Sequence, residues 1–244
     1  MDLKISLLKY FEEDFLNEKG IKGIFRKEKL FSRKNDVYKV DVVSGEGKRI
    51  YVLKKYMGED RYSRMKNELL FYDLFGKNGP KVPNIFYNNE EILVTEFIGS
   101  KTLLDYIVEK EVPVGDKVTP ETDSPNIGIS PIFEACKYIL DFNRMLKNIT
   151  GKSYMLNDMN FRNFLLTTDG VCRVDLEECR PGDIEEDLGK FIAFFLTYDP
   201  PYTEWKMLVS SSIRKFCRDT SGIDISRVEL ETSRELDRMT ERRR

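Results

Sequence analysis

Histidine is absent from all 244 residues of the sequence. That removes imidazole from any mechanism: Ser-His-Asp and Cys-His arrangements, His-ligated zinc and histidine general bases are all excluded. Acid-base chemistry must rest on carboxylate, lysine, tyrosine or cysteine side chains. Cysteine itself is scarce, and Cys136, Cys172, Cys179 and Cys217 form no CxxC pair and no zinc-ligand spacing. Reduced thiols and a cytoplasmic location are the expectation. No apolar run approaches the roughly 20 residues that cross a bilayer. The start, Met1-Asp2-Leu3-Lys4, lacks the charged-then-apolar layout of a secretory signal. Neither sign of charge dominates. With 40 Lys+Arg against 42 Asp+Glu the formal net charge is -2, which argues against a nucleic-acid footprint over the whole surface.

What is present suits a globular chain with a full core, built as one two-lobed unit or two small domains. Residues 3 to 19 carry a helical apolar stripe ended by Gly20. From 22 to 56 the pattern turns to β: VYKVDVV and RIYVLKKY flank Ser44-Gly45-Glu46-Gly47, a hairpin turn. A helix is predicted over 61 to 76, then short strands at 84 to 88 and 91 to 97 about the turn Asn88-Asn89-Glu90. Another helix begins at Leu103. Residues 111 to 131 hold Pro113, Pro120, Pro125 and Pro131 and read as a long mobile loop. Helical period returns over 132 to 148. Strands at 164 to 166 and 171 to 176 flank Thr168-Asp169-Gly170, and helices follow at 184 to 197 and 203 to 219. The charge-dense tail from 226 to 244 reads as a solvated helix end, with contact to a partner protein or nucleic acid through its basic terminus as the other reading.

The residues that carry chemistry lie in NDMNFRNFLL and the following VCRVDLEE. Asp158 precedes Asn163 by five positions, and Asp175 follows one hairpin later. Phosphoryl transfer needs a carboxylate beside the attacking hydroxyl and oxygen ligands for the metal that neutralises the phosphates. A surface loop with capping Asp and Asn is the plainer alternative.

Leu156-Asn157-Asp158, Asn163 and Asp175-Leu176-Glu177 resemble the catalytic segments of the protein-kinase-like superfamily, closest to its aminoglycoside phosphotransferase and choline kinase branch. The resemblance implies that Asp158 orients the acceptor hydroxyl and that Asn163 and Asp175 hold Mg²⁺. Arg162 supplies a positive charge that protein kinases place elsewhere in this loop. Upstream, Ile50-Tyr51-Val52-Leu53-Lys54 resembles the strand whose lysine reaches the ATP phosphates. By that likeness Glu68 fixes Lys54 and Val52 packs on adenine; an exposed edge-strand lysine is the alternative. Residues 92 to 107 resemble the interlobe hinge, with Thr95 as gatekeeper and adenine-edge bonds at the Glu96 carbonyl and Ile98 amide. A buried strand entering a helix fits them equally. The phosphate-covering loop, Leu30 to Lys39, contains no glycine; Ser32 and Asn35 stand at two glycine positions. Asp187 occupies the place of an aspartate that braces the catalytic-loop backbone.

The resemblance implies an α+β, bilobal protein-kinase-like fold. Residues 1–97 would form an N-lobe with a small sheet and one helix, and residues 98–244 a mainly helical C-lobe. It implies an ATP- and Mg²⁺-dependent kinase acting on a small-molecule hydroxyl acceptor. The alternatives are a minimal serine/threonine protein kinase, resembling the archaeal-eukaryotic kinase of the threonylcarbamoyl-tRNA machinery, and a pseudokinase scaffold.

Overall fold

A computed structural model describes residues 13–45, 47–75, 79–111 and 130–242. The fold is α+β and divides into two compact units. One comprises the chain up to Asp73 with Val82–Ile98; the other comprises Leu74–Lys81 with the chain from Gly99 onward.

The first unit begins with helix α1 (Glu13–Glu18), which leads into Gly20 at φ +57°. Of the predicted first helix, residues 3–12 lie outside the described residues, and Lys19 falls in the turn after α1. Five antiparallel strands follow in the order β1-β2-β3-β5-β4: β1 (Gly23–Leu30), β2 (Asp36–Ser44), β3 (Gly47–Lys55), β4 (Ile85–Asn88) and β5 (Ile92–Glu96). Ser44 pairs with Gly47 across the β2–β3 turn, where φ of +113° suits glycine. Alternation then sorts the side chains. Val40, Val42 and Leu53 join Ile24, Ile92 and Val94 in the core on one face. Val52, set opposite Thr95, shares the other face with Lys54. Helix α2 (Arg61–Phe75) buries Met65, Glu68, Phe71, Tyr72 and Phe75, a stripe at helical spacing with one carboxylate in it.

The second unit opens at α3 (Leu103–Lys110), which has a complete capping box: Thr102 accepts from the Asp105 amide and the Asp105 carboxylate accepts from the Thr102 amide. Of the predicted loop at 111 to 131, residues 112–129 lie outside the described residues. Ser130 and Pro131 already belong to helix α4 (Ser130–Thr150), since proline is tolerated in a first turn where its missing N–H has no partner to lose. Then come β6 (Tyr154–Met155), a 3₁₀ turn at Phe161–Asn163, β7 (Phe164–Thr167), β8 (Gly170–Arg173) and β9 (Arg180–Pro181). Strand β8 ends before the predicted 176, because the backbone turns to a left-handed φ of +64° at Asp175.

Helix α5 (Ile184–Thr197) is buried nearly all round and packs on α4, α6 (Glu204–Asp219) and α7 (Ile225–Arg242). Here the expectation of a solvated helix end is corrected. Helix α7 buries Val228, Glu231, Thr232, Glu235 and Met239. Its two buried carboxylates are masked on the helix itself, Glu231 by Arg234 at 2.6 Å and Glu235 by Arg238 at 3.1 Å. Arg243 and Arg244 lie outside the described residues. Among the described residues no helix is long and apolar enough to cross a membrane, and all four cysteines are buried and outside any disulfide.

Candidate functional site

In the second unit, pairing of β6 with β9 delivers Leu156 and Asn157 to the start of α5. Asp187, in the first turn of that helix, is 1% exposed. Its two oxygens accept the amide of Leu156 at 2.6 Å and that of Asn157 at 3.0 Å. Leu156 is buried among apolar side chains, at 1% exposure. Asn157 stands at φ +67°, and across it the Asp158 amide donates to the Leu156 carbonyl at 2.9 Å, a tight three-residue turn. Asn is one of few side chains that adopt this φ readily. Lys190, one turn beyond Asp187, fastens it by donating to Asn157 Oδ1 at 2.6 Å.

The turn presents Asp158. Its Oδ1 accepts the Asn160 amide at 2.9 Å and its Oδ2 accepts Asn163 Nδ2 at 2.8 Å. That leaves Asn163 Oδ1 directed away from Asp158. Asn160 caps the 3₁₀ turn by accepting the Arg162 amide at 3.1 Å, and the Arg162 side chain is exposed. The hairpin then returns the chain: Val174 donates to the Asn163 carbonyl at 3.0 Å, which sets Asp175 next to the Asn163 backbone. A carboxylate oxygen of Asp175 and one of Glu177 lie within 4.8 Å of each other.

Three supporting residues were not legible in the motifs. Arg173 is fully buried, lies 4.4 Å from the Phe164 ring centre and donates to the Asp158 carbonyl and to that of Asn160. A cation inside an otherwise apolar strand, VCRV, was its one sequence signal. Tyr198 accepts the Phe161 amide at 3.2 Å and donates to Asn160 Oδ1 at 3.2 Å; its tie spans 37 residues and leaves no local trace. Lys190 is the third.

Burial pushes the Asp187 carboxyl up to about 6, against the amides of Leu156 and Asn157 and the charges of Lys190 and Arg173, which pull it down. Burial lowers Lys190, and Asp187 counters that. Burial raises Tyr198, the amide of Phe161 acting in the opposite sense.

The first unit holds the other predicted residues. Lys54 donates to Glu68 Oε2 at 2.6 Å, with Glu68 at 1% exposure, and Tyr56 donates to the same oxygen. Lys55 points the other way and meets Glu91 at 3.6 Å. Ser32 and Asn35 lie in the β1–β2 connection, where Ser32 Oγ accepts the Asn35 amide at 3.1 Å. Asn35 is buried, and its Oδ1 accepts from Arg64 at 2.9 Å. Glu96 closes β5, its side chain accepting from Asn84 Nδ2 at 2.7 Å. Ile98 is the last residue of the unit before Gly99. The predicted residues thus form two groups: Ser32, Asn35, Val52, Lys54, Glu68, Glu96 and Ile98 in one unit, and Asp158, Arg162, Asn163 and Asp175 in the other.

No protein-family model and no curated protein matches the chain. Among solved structures, the chain is similar to an aminoglycoside phosphotransferase, in the streptomycin–ATP–APH(2")-IIa ternary complex. The likeness has 13% identity, covers 91% of this chain and 87% of that one, and has a TM-score of 0.48.

Proposed function

We propose that the chain is a phosphotransferase of bilobal protein-kinase-like fold that moves the γ-phosphate of ATP to a hydroxyl of a small molecule. The observation that carries this reading is the construction around Asp158. A buried carboxylate, Asp187, organises the two preceding amides, and Asn163 holds one Asp158 oxygen at 2.8 Å. A capping aspartate in a surface loop has no need of a buried carboxylate that costs free energy to ionise.

In this reading Asp158 accepts the acceptor hydroxyl's hydrogen bond and takes its proton as the new O–P bond forms and the bond to the β-phosphate oxygen breaks. Lys54, fixed by Glu68 and Tyr56, contacts the α- and β-phosphates. Val52 packs on adenine and the Glu96 carbonyl and Ile98 amide meet its edge. Arg162, exposed in the 3₁₀ turn that follows Asp158, offsets charge on the transferring group. The donors Asn163 Oδ1 and the Asp175 carboxylate are hard oxygens. Together with the nearby Glu177 carboxylate they suit Mg²⁺, which supplies charge neutralisation at the phosphates when bound.

The test combines thermal-shift titration with ATP, with and without Mg²⁺, and labelled γ-phosphate transfer to a panel of small alcohols and to generic protein acceptors. Stabilisation by ATP and Mg²⁺ that disappears in Asp175→Ala is the expected result. Equal stabilisation of wild type and Asp175→Ala would remove Asp175 from the metal site. Transfer to proteins and to no small molecule would replace the acceptor class.

A further inference from the structure

A phosphate-covering loop ordinarily depends on glycine, whose backbone can approach the phosphates closely. The connection Phe31-Ser32-Arg33-Lys34-Asn35 has none, and something else must set its shape. Its last residue is buried, at 6% exposure. The Asn35 carboxamide oxygen accepts from Arg64 at 2.9 Å and from the Met57 amide at 3.3 Å, while the Asn35 amide donates to Ser32 Oγ at 3.1 Å. The loop is therefore closed on itself at Ser32 and tied at Asn35 to the start of α2.

Arg64 is as buried as the residue it holds, at 8% exposure. Beyond Asn35 it donates to the Met57 carbonyl and pairs with Asp60 at 3.0 Å, and its guanidinium lies 5.9 Å from the Tyr56 ring centre. These contacts point in several directions from one planar group. A guanidinium fork meets that demand, whereas a lysine ammonium on a flexible stem does not hold them together. Arg64 lies four residues before Glu68, so both project from one face of α2. Glu68 in turn receives Lys54 and Tyr56 on a single oxygen. One helix face thus grips both the loop and the lysine strand.

We infer that Arg64 is a positioning residue for the nucleotide: through Asn35 it pre-organises the glycine-free loop and keeps it in register with Lys54. This rests on the reading of the first unit as a nucleotide-binding lobe. Pre-organisation lowers the ordering cost at the moment of binding, so its loss appears in affinity for the phosphate-bearing ligand. It also makes the loop and α2 a single mechanical element.

The experiment is calorimetric titration of the full chain with ATP, ADP and adenosine in the presence of Mg²⁺. Arg64→Ala and Asn35→Ala are each expected to weaken ATP and ADP about tenfold, with adenosine changed less than about twofold. The double variant should be no weaker than either single one, because both remove the same tie. Arg64→Lys should behave as Arg64→Ala, since charge alone does not restore the fork. Unchanged ATP affinity in Arg64→Ala overturns the inference, as do equal losses for ATP and adenosine, or additive losses in the double variant. If Arg64→Ala does not fold, Asn35→Ala decides alone, because it leaves Arg64 its contacts with Met57 and Asp60. A wild type that binds neither ATP nor adenosine removes the phosphotransferase reading and this inference together. A wild type that binds ATP as tightly as Arg64→Ala does removes only the inference.

Discussion

At the scale of single residues, the second unit concentrates its charge chemistry in one short loop. Asp158 is held on both oxygens, and an amide in its place would present a donor where two donors already point. Asp158→Asn should therefore lose at least about a hundredfold in turnover while nucleotide affinity stays within about twofold. Labelled γ-phosphate transfer beside an ATP titration reads both; retained turnover would strip Asp158 of its role. Asp187 titrates in an accessible range. Its folded value of about 6 lies above the ordinary 3.8. The stability it contributes is thus fully present below about pH 4 and is lost as pH rises through about 6. The ionised form that best accepts the two amides exists only above that pH, so loop order and global stability respond in opposite senses. The melting temperature of wild type minus that of Asp187→Asn should shrink between pH 4 and pH 7. A difference that grows over this range would mean the ionised state is the favoured one. Lys54 was legible against Lys55 because strand parity is a local rule, and Glu68 only through the family resemblance. Arg173 and Tyr198 were not, because their partners are set by the fold.

At the scale of elements, the contact between α5 and α7 shows how a polar sequence becomes core. Val228, Thr232 and Met239 recur near helical period, but Glu231 and Glu235 sit among them. Read alone, those carboxylates suggest solvent; in place, each is covered by an arginine three residues on. The helices approach so closely that a Cβ at Gly189 would lie 2.8 Å from the Thr232 nitrogen and 2.9 Å from the Glu231 carbonyl carbon. Both are backbone atoms and have no rotamer to give. Gly189→Ala should cost about 1–3 kcal/mol, seen as a melting temperature lowered by roughly 2–10 °C. Gly23→Ala, in strand β1 where nothing lies within 4 Å, is the control expected to change little. A silent Gly189→Ala would mean that α7 is free to move off α5.

At the scale of the whole molecule, all four thiols are buried, and burial raises Cys136 and Cys217 away from the reactive thiolate. An aromatic disulfide reagent at neutral pH should find almost no reactive thiol in the native protein and four after denaturation. Fast labelling of one site without denaturant would show that its region opens independently of global unfolding.

The order of elements, the hairpin turns, the parity that sets Lys54 rather than Lys55 on the face of Val52 and the spacing of Asp158, Asn163 and Asp175 were determined by the sequence itself. Period, turn chemistry and short-range register are properties of neighbouring residues. Tertiary structure alone decided the rest. It buried the charged C-terminal helix, ended β8 before Asp175, and tied Arg64 to a glycine-free loop. It also braced the backbone around Asp158, with Arg173 on the Asp158 carbonyl, Tyr198 on Phe161 and Asn160, and Lys190 on Asn157. The physical reason is common to all of these. A polar group's fate depends on which partner is present when water is removed, and those partners are brought by chain segments tens of residues away.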